Sequence, residues 1–213
     1  MPIAIGMLLY PGLTQLDLTG PLEFLHRLPG SRIHLLWKTK DPIVADSDIG
    51  LVPNTTFGEC PTLDVLFVGG GAGQVDLMTD IEVLDFLRAQ GAQARYVTSV
   101  CTGALLLGAA GLLEGYRAAT HWAFMDLLPT FGATPVHERV VVDRNRITGG
   151  GVTAGIDFAL ELISHIAGEP TAEAIQLALE YDPAPRLRSG HPRLAKPEVL
   201  AQVRGAFAAR YGV

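Results

Sequence analysis

Tyr96-Val97-Thr98-Ser99-Val100-Cys101-Thr102-Gly103-Ala104-Leu105 is the stretch that decides how this chain is read. Its first half is β-branched and reads as a strand, its second half is built of small residues that open a helix, and Cys101 stands at the join. A residue on so tight a strand-to-helix turn is held in a strained conformation, and Ser99, Gly103 and Ala104 are small enough to let the turn close. In open α/β sheets such a turn lies at the carboxyl edge, where ligands bind. Unpaired N–H groups and the dipole at the helix start favour negative charge, which predicts a lowered thiol pKa for Cys101.

Working outward, apolar runs alternate with segments of helical period, the pattern of an α/β fold with a mostly parallel sheet covered on both faces. The strands read as Ile3 to Tyr10, Arg32 to Trp37, Asp64 to Val68 and Ala94 to Val100. The helices read as Leu16 to Arg27, Ile81 to Gln90, Gly103 to Leu113, His121 to Leu128 and Ala154 to Ala167, the last with Thr153 at the N-cap position. Between Val136 and Thr148 the period changes to that of a hairpin, so an antiparallel pair is appended to the sheet. Asp182 to Pro197 is rich in Pro and Arg and disfavours regular structure before Glu198 to Arg210 turns helical. Residues 1–181 thus form the body, and residues 182–213 an extension that packs on the same domain or on a dimer partner.

A chain of 213 residues with 48% hydrophobic content is large enough for one such domain, burying roughly seventy per cent of its unfolded surface. A formal charge of −6 works against binding phosphate backbones, so no nucleic-acid partner is expected. No apolar run reaches the roughly 18 residues of a membrane span, so no membrane partner is expected either. Two cysteines, Cys60 and Cys101, are too few for a disulfide framework or a zinc site; a reducing, cytoplasmic setting follows. Cys60, in Gly58-Glu59-Cys60-Pro61, lacks the elbow setting and reads as structural.

Two glycine runs follow apolar strands, Gly69-Gly70-Gly71 and Gly149-Gly150-Gly151. Gly70, Gly71 and Gly150 are candidates to aim N–H groups at a developing negative charge, though tight turns alone also use such runs. Asp17, between Leu16 and Leu18, is either a solvated helix-end acid or a carboxyl turned inward to meet a partner. Thr102 offers a backbone N–H and a hydroxyl beside the cysteine, or simply ends a helix. His121 is a weaker candidate, and Trp122 and Val152 either line a pocket or fill core.

Together these segments resemble a known family: Leu-Asp-Leu-Thr-Gly-Pro-Leu-Glu around Asp17, Phe-Val-Gly-Gly-Gly at 67–71, Ser-Val-Cys-Thr-Gly-Ala at 99–104, Ala-Ala-Gly-Leu-Leu at 109–113, Ala-Thr-His-Trp at 119–122 and Gly-Gly-Gly-Val-Thr-Ala-Gly-Ile-Asp at 149–157. They are similar to the ThiJ/PfpI superfamily, and the similarity runs through Tyr181-Asp182-Pro183 into the C-terminal tail. The resemblance implies a flavodoxin-like α/β sandwich, a homodimer, no metal or organic cofactor, and an acid contacting the elbow cysteine, which here means Asp17 against Cys101. In arrangement the chain is most similar to the isonitrile-hydrating branch, which implies an isonitrile and water as substrates, Cys101 as nucleophile, and Asp17 as general acid/base. Peptidase and deglycase branches usually carry Glu at the acidic position, and peptidases place His directly after the cysteine; Asp17 and Thr102 stand there in this chain. Two other readings stay open: glyoxal-type chemistry at the same thiol, and a sensor domain like that of AraC-type regulators, which the net negative charge disfavours.

Overall fold

The computed structural model describes residues 2–211. Its strands are β1 (Ile3–Leu8), β2 (Ser31–Trp37), β3 (Ile43–Val44), β4 (Gly50–Leu51), β5 (Thr55–Thr56), β6 (Val65–Val68), β7 (Tyr96–Val100), β8 (Arg117–Ala118), β9 (Thr134–Pro135), β10 (Val140–Asp143) and β11 (Arg146–Gly149). Its α-helices are α1 (Gln15–Leu25), α2 (Gln74–Leu77), α3 (Ile81–Gly91), α4 (Gly103–Ala109), α5 (Ala154–Ala167), α6 (Glu169–Ala178) and α7 (Pro197–Tyr211).

Seven strands form the main sheet in the order β10-β11-β7-β6-β1-β2-β5, and every neighbouring pair is parallel except β10 with β11. Burial on both faces explains the composition: all four residues of β6 are buried, as are the last four of β7. On one face α1 and α5 pack together, with Phe158 of α5 against Phe67 of β6, ring centroids 5.5 Å apart. On the other, α3 and α4 pack against β6 and against each other. This is the flavodoxin-like sandwich expected, with the antiparallel pair at one edge of the sheet.

The order places the site. From β1 the chain winds outward through β2 to β5, then returns to β6 on the other side of β1 and winds the opposite way. The crevice between the carboxyl ends of β1 and β6 is therefore the topological switch point. Asp17 follows β1, the first glycine run follows β6, and Cys101 follows β7 next door.

Several expectations need correction. The helix from Gly103 stops at Ala109 instead of Leu113, because the chain turns at Gly111 with φ +76°. The helix expected from His121 is a 3-10 helix over Trp122–Phe131, with Pro129 inside it and His121 as its cap. Thr153 does precede α5, but it makes no side-chain cap hydrogen bond; its oxygens instead receive the Arg139 guanidinium. The short hairpin β3–β4, the pair β8–β9 and the helices α2 and α6 were not anticipated.

Candidate active site

Cys101 has φ +57°, the left-handed region that a non-glycine residue occupies at a cost. Three bonds hold it there. Its N–H is shared between the carbonyls of Gly149 (3.1 Å) and Gly150 (2.8 Å) at the end of β11. Its carbonyl accepts the buried Thr120 hydroxyl at 2.8 Å. The turn also requires close packing: a Cβ on Gly103 would land on the Val68 carbonyl.

Asp17 lies in the first turn of α1 and is completely buried, which settles its two open readings in favour of the inward one. The adjoining loop carries no side chains that would keep α1 away. A Cβ on Gly70 would lie 2.6 Å from the Thr102 nitrogen and 2.8 Å from Asp17 Oδ2, so the residue there must be glycine for the acid and the elbow to approach each other. The Gly70 N–H donates to Asp17 Oδ2 at 2.7 Å. Oδ1 is sealed from solvent without a hydrogen-bond partner among the described residues, and the carboxyl is coupled to the Cys101 thiol.

Electrostatics follow from this burial. Desolvation pushes the Asp17 carboxyl up from 3.8 to about 7, against the opposing pull of the Gly70 N–H and the Cys101 thiol. The Cys101 thiol is also raised well above its ordinary value, first by burial and then by the Asp17 charge, while the N–H groups of Thr102 and Val152 favour its thiolate. The expected lowering at the helix start is thus overturned: two N–H groups are outweighed by the loss of water and a facing carboxylate. What results is a coupled pair of acids, each raised by burial, whose titrations belong to the pair.

Cys101, Asp17, Thr102, Gly70 and the Val152 backbone are brought together. The Thr102 hydroxyl accepts the Gly71 N–H at 3.1 Å, tying elbow to glycine loop. The glycines stand differently from expectation. The N–H groups of Gly70, Gly71 and Gly150 are bonded to Asp17, Thr102 and the Arg139 carbonyl respectively, so none is aimed at open space. Thr120 was missed as a support of the elbow; the signal available was its place in Ala-Thr-His-Trp.

A cleft of about 1110 Å³ opens beside the site. Cys101, 7% exposed, is not in its wall; the cleft reaches it through Thr120, Gly150 and Val152, each bonded to its backbone or sulfur. Trp122 and His121 also line it. Burial lowers the His121 imidazole from 6.5 to about 4, and its Nδ1 accepts the Ala123 N–H, so this ring is neutral near pH 7. Among the described residues no group of three His, Cys, Asp or Glu side chains is arranged to hold a metal, and no helix is long and apolar enough to cross a membrane.

The model of the DJ-1/PfpI family matches residues 4–165. The chain is 56% identical to isonitrile hydratase of Pseudomonas putida over 204 residues, 96% of this chain and 90% of that protein. It is 31% identical to the HTH-type transcriptional regulator GbdR of Pseudomonas aeruginosa over 189 residues, 85% of this chain and 51% of the regulator. A crystal structure of a THiJ/PfpI family protein from Pseudomonas syringae superposes with a TM-score of 0.96 at 45% identity, covering 98% of this chain and 87% of that one.

Proposed function

Since the chain belongs to the DJ-1/PfpI family, we propose that it hydrates isonitriles, R–N≡C, to N-substituted formamides, with Cys101 as nucleophile and Asp17 as general acid/base. The observation that carries the reading is the coupled acid pair, a positive-φ cysteine against a buried carboxyl with a pKa of about 7. Such a pair stores its proton at neutral pH and releases a nucleophile only as the proton moves.

In the first step the Cys101 thiol proton passes to the Asp17 carboxylate as sulfur attacks the terminal isonitrile carbon. The Thr102 and Val152 N–H groups steady the sulfur's charge. Asp17 then delivers the proton to that carbon, giving a thioimidate, Cys–S–CH=N–R. In the second step Asp17 takes a proton from water as its oxygen adds to the same carbon, and the nitrogen is protonated. Collapse of the adduct breaks the C–S bond, forms the formyl carbonyl, and returns the proton to the thiol. The sum is R–N≡C plus water giving R–NH–CHO, with the enzyme unchanged. No step calls for a metal or organic cofactor.

The test is incubation with an alkyl isonitrile while following formamide. Turnover that disappears in Cys101→Ala and falls about 10²- to 10⁴-fold in Asp17→Asn supports the reading. Lactate from methylglyoxal without formamide would replace it with glyoxalase-type chemistry. The likeness to GbdR favours one second reading, a metabolite-binding domain, which saturable binding without turnover of either compound would establish.

The same proposal places the enzyme in the cytoplasm as a homodimer. Exposed apolar side chains on the β3–β4 hairpin and the neighbouring segments, Val44, Ile49, Val52 and Val75, support an interface there. Light scattering on the purified protein tests it, a mass of one chain counting against it.

A further inference from the structure

The cleft beside Cys101 differs in character from the rest of a chain whose formal charge is −6. Its apolar wall includes Trp122, Met125, Val136 and Val152, and towards the C-terminal segment it carries His137, Arg139, His191 and Arg193, with Glu138 as its acid. We propose that the isonitrile this site accepts bears a carboxylate on its substituent, and that Arg193 and His191 receive that carboxylate. The inference rests on the hydration reading above and narrows its substrate class.

The Arg139 guanidinium is already neutralised, its Nε 2.6 Å from Asp157 Oδ2 and its Nη2 on the Thr153 carbonyl. Arg193 is exposed, and among the described residues it has no carboxylate partner; its backbone N–H donates to His191 Nδ1 at 3.1 Å. That bond fixes the imidazole: with Nδ1 accepting, the neutral ring carries its proton on Nε2. Burial, with Arg193 and His137 close by, disfavours the charged form of His191, so it serves as a donor and not as a second cation. His121 is fixed the same way by the Ala123 N–H, which leaves its proton on Nε2 as well.

The cleft therefore offers one unpaired guanidinium, two imidazoles whose Nε2–H donors are fixed by their Nδ1 contacts, and the His137 ring, against the single carboxylate of Glu138. A cationic substituent would find one acceptor among these donors. A neutral alkyl group would be content with the apolar wall and leave the donors without use. A carboxylate completes them, because Arg recognises it by two N–H groups while a neighbouring imidazole adds a third.

Isocyanoacetate and its methyl ester test this, because they share the reacting group and differ in charge. At low salt the wild-type protein is expected to favour the acid over the ester by about 3- to 5-fold in kcat/KM, the scale of one solvent-accessible charge pair, and the preference should fade in roughly 1 M salt. In Arg193→Ala the ratio should fall to about one with ester turnover unchanged, and Arg193→Lys should restore most of it. A wild-type enzyme that handles the ester as well as the acid overturns the proposal, as does a ratio that survives Arg193→Ala. Loss of both substrates in parallel would mark Arg193 as merely structural and overturn it too. If the ester and a plain alkyl isonitrile are hydrated without any preference for the acid, only this inference fails; if no isonitrile is hydrated, the hydration reading fails with it.

Discussion

Asp17 is the residue on which stability and chemistry pull in opposite directions. Its carboxyl binds a proton more tightly folded, with a pKa of about 7, than unfolded, near 3.8. This contribution favours the fold below the unfolded value and is lost as pH rises through about 7, a swing of the order of 4 kcal/mol for a group so fully buried. Asp17→Asn cannot ionise, so it should melt above wild type at pH 8 and level with it near pH 4; melting curves across that range check this. Activity should run the other way. Hydration needs the ionised carboxylate to take the thiol proton, so wild-type kcat/KM should rise with pH through an apparent pKa near 7, and a profile flat from pH 5 to 8 would count against Asp17 as base. At this scale the sequence was only half legible. An acid between Leu16 and Leu18 leaves open whether it faces water or core, and the direction of the Cys101 shift depended on burial and on a facing carboxylate brought from a distant part of the chain.

Elements were legible where their residues announce a period and illegible where they do not. β6 and β7 are continuous apolar or β-branched runs buried on both faces, and α5 has a clear apolar stripe, so all three were found. Helix α6 was not: it buries only Ala172 and Ile175 and leaves Leu177 82% exposed, so it contributes little to the core that the sequence pattern was read for. The loop after β6 was read as a supplier of N–H donors, whereas its glycine at position 70 serves contact. Gly70→Ala tests that directly: a Cβ 2.6 Å from the Thr102 nitrogen and 2.8 Å from the Asp17 carboxyl must push the elbow and α1 apart. The expected result is a loss of more than about 10²-fold in kcat, the cost of moving acid and nucleophile by a fraction of an ångström to an ångström. The drop in melting temperature should be modest by comparison. Near-normal activity would show that the pair tolerates separation. Thr120→Val removes the hydroxyl that holds the Cys101 carbonyl. It should lower kcat with little change in KM, and Thr120→Ser, which keeps the hydroxyl, should recover most of the loss.

Across the whole molecule, the alternation of strands and helices gave away the sandwich, but strand order is a property of crossovers that no local pattern encodes, so the switch point between β1 and β6 became visible only in three dimensions. The C-terminal extension shows the same limit. Its helical period from residue 198 was readable, yet the aromatic cluster that docks it was not: the Phe207 ring of α7 stacks on His121 at 4.9 Å and meets Trp122 and Phe124 at 6.0 and 5.9 Å, beside the cleft that Trp122 and His121 line. The rest of α7 is largely exposed, with Ala201, Gln202, Arg204, Gly205 and Ala206 all facing water. A helix docked this way should open locally without unfolding the body. Removing the ring in Phe207→Ala takes away aromatic contacts worth about 2 kcal/mol together, so amide protection across α7 should fall roughly 30-fold. Protection of β6 and β7 should stay at wild-type levels. Equal losses in α7 and the central strands would instead mean that the extension and the body unfold as one cooperative unit, and the proposed division of the chain near residue 181 would have to be abandoned.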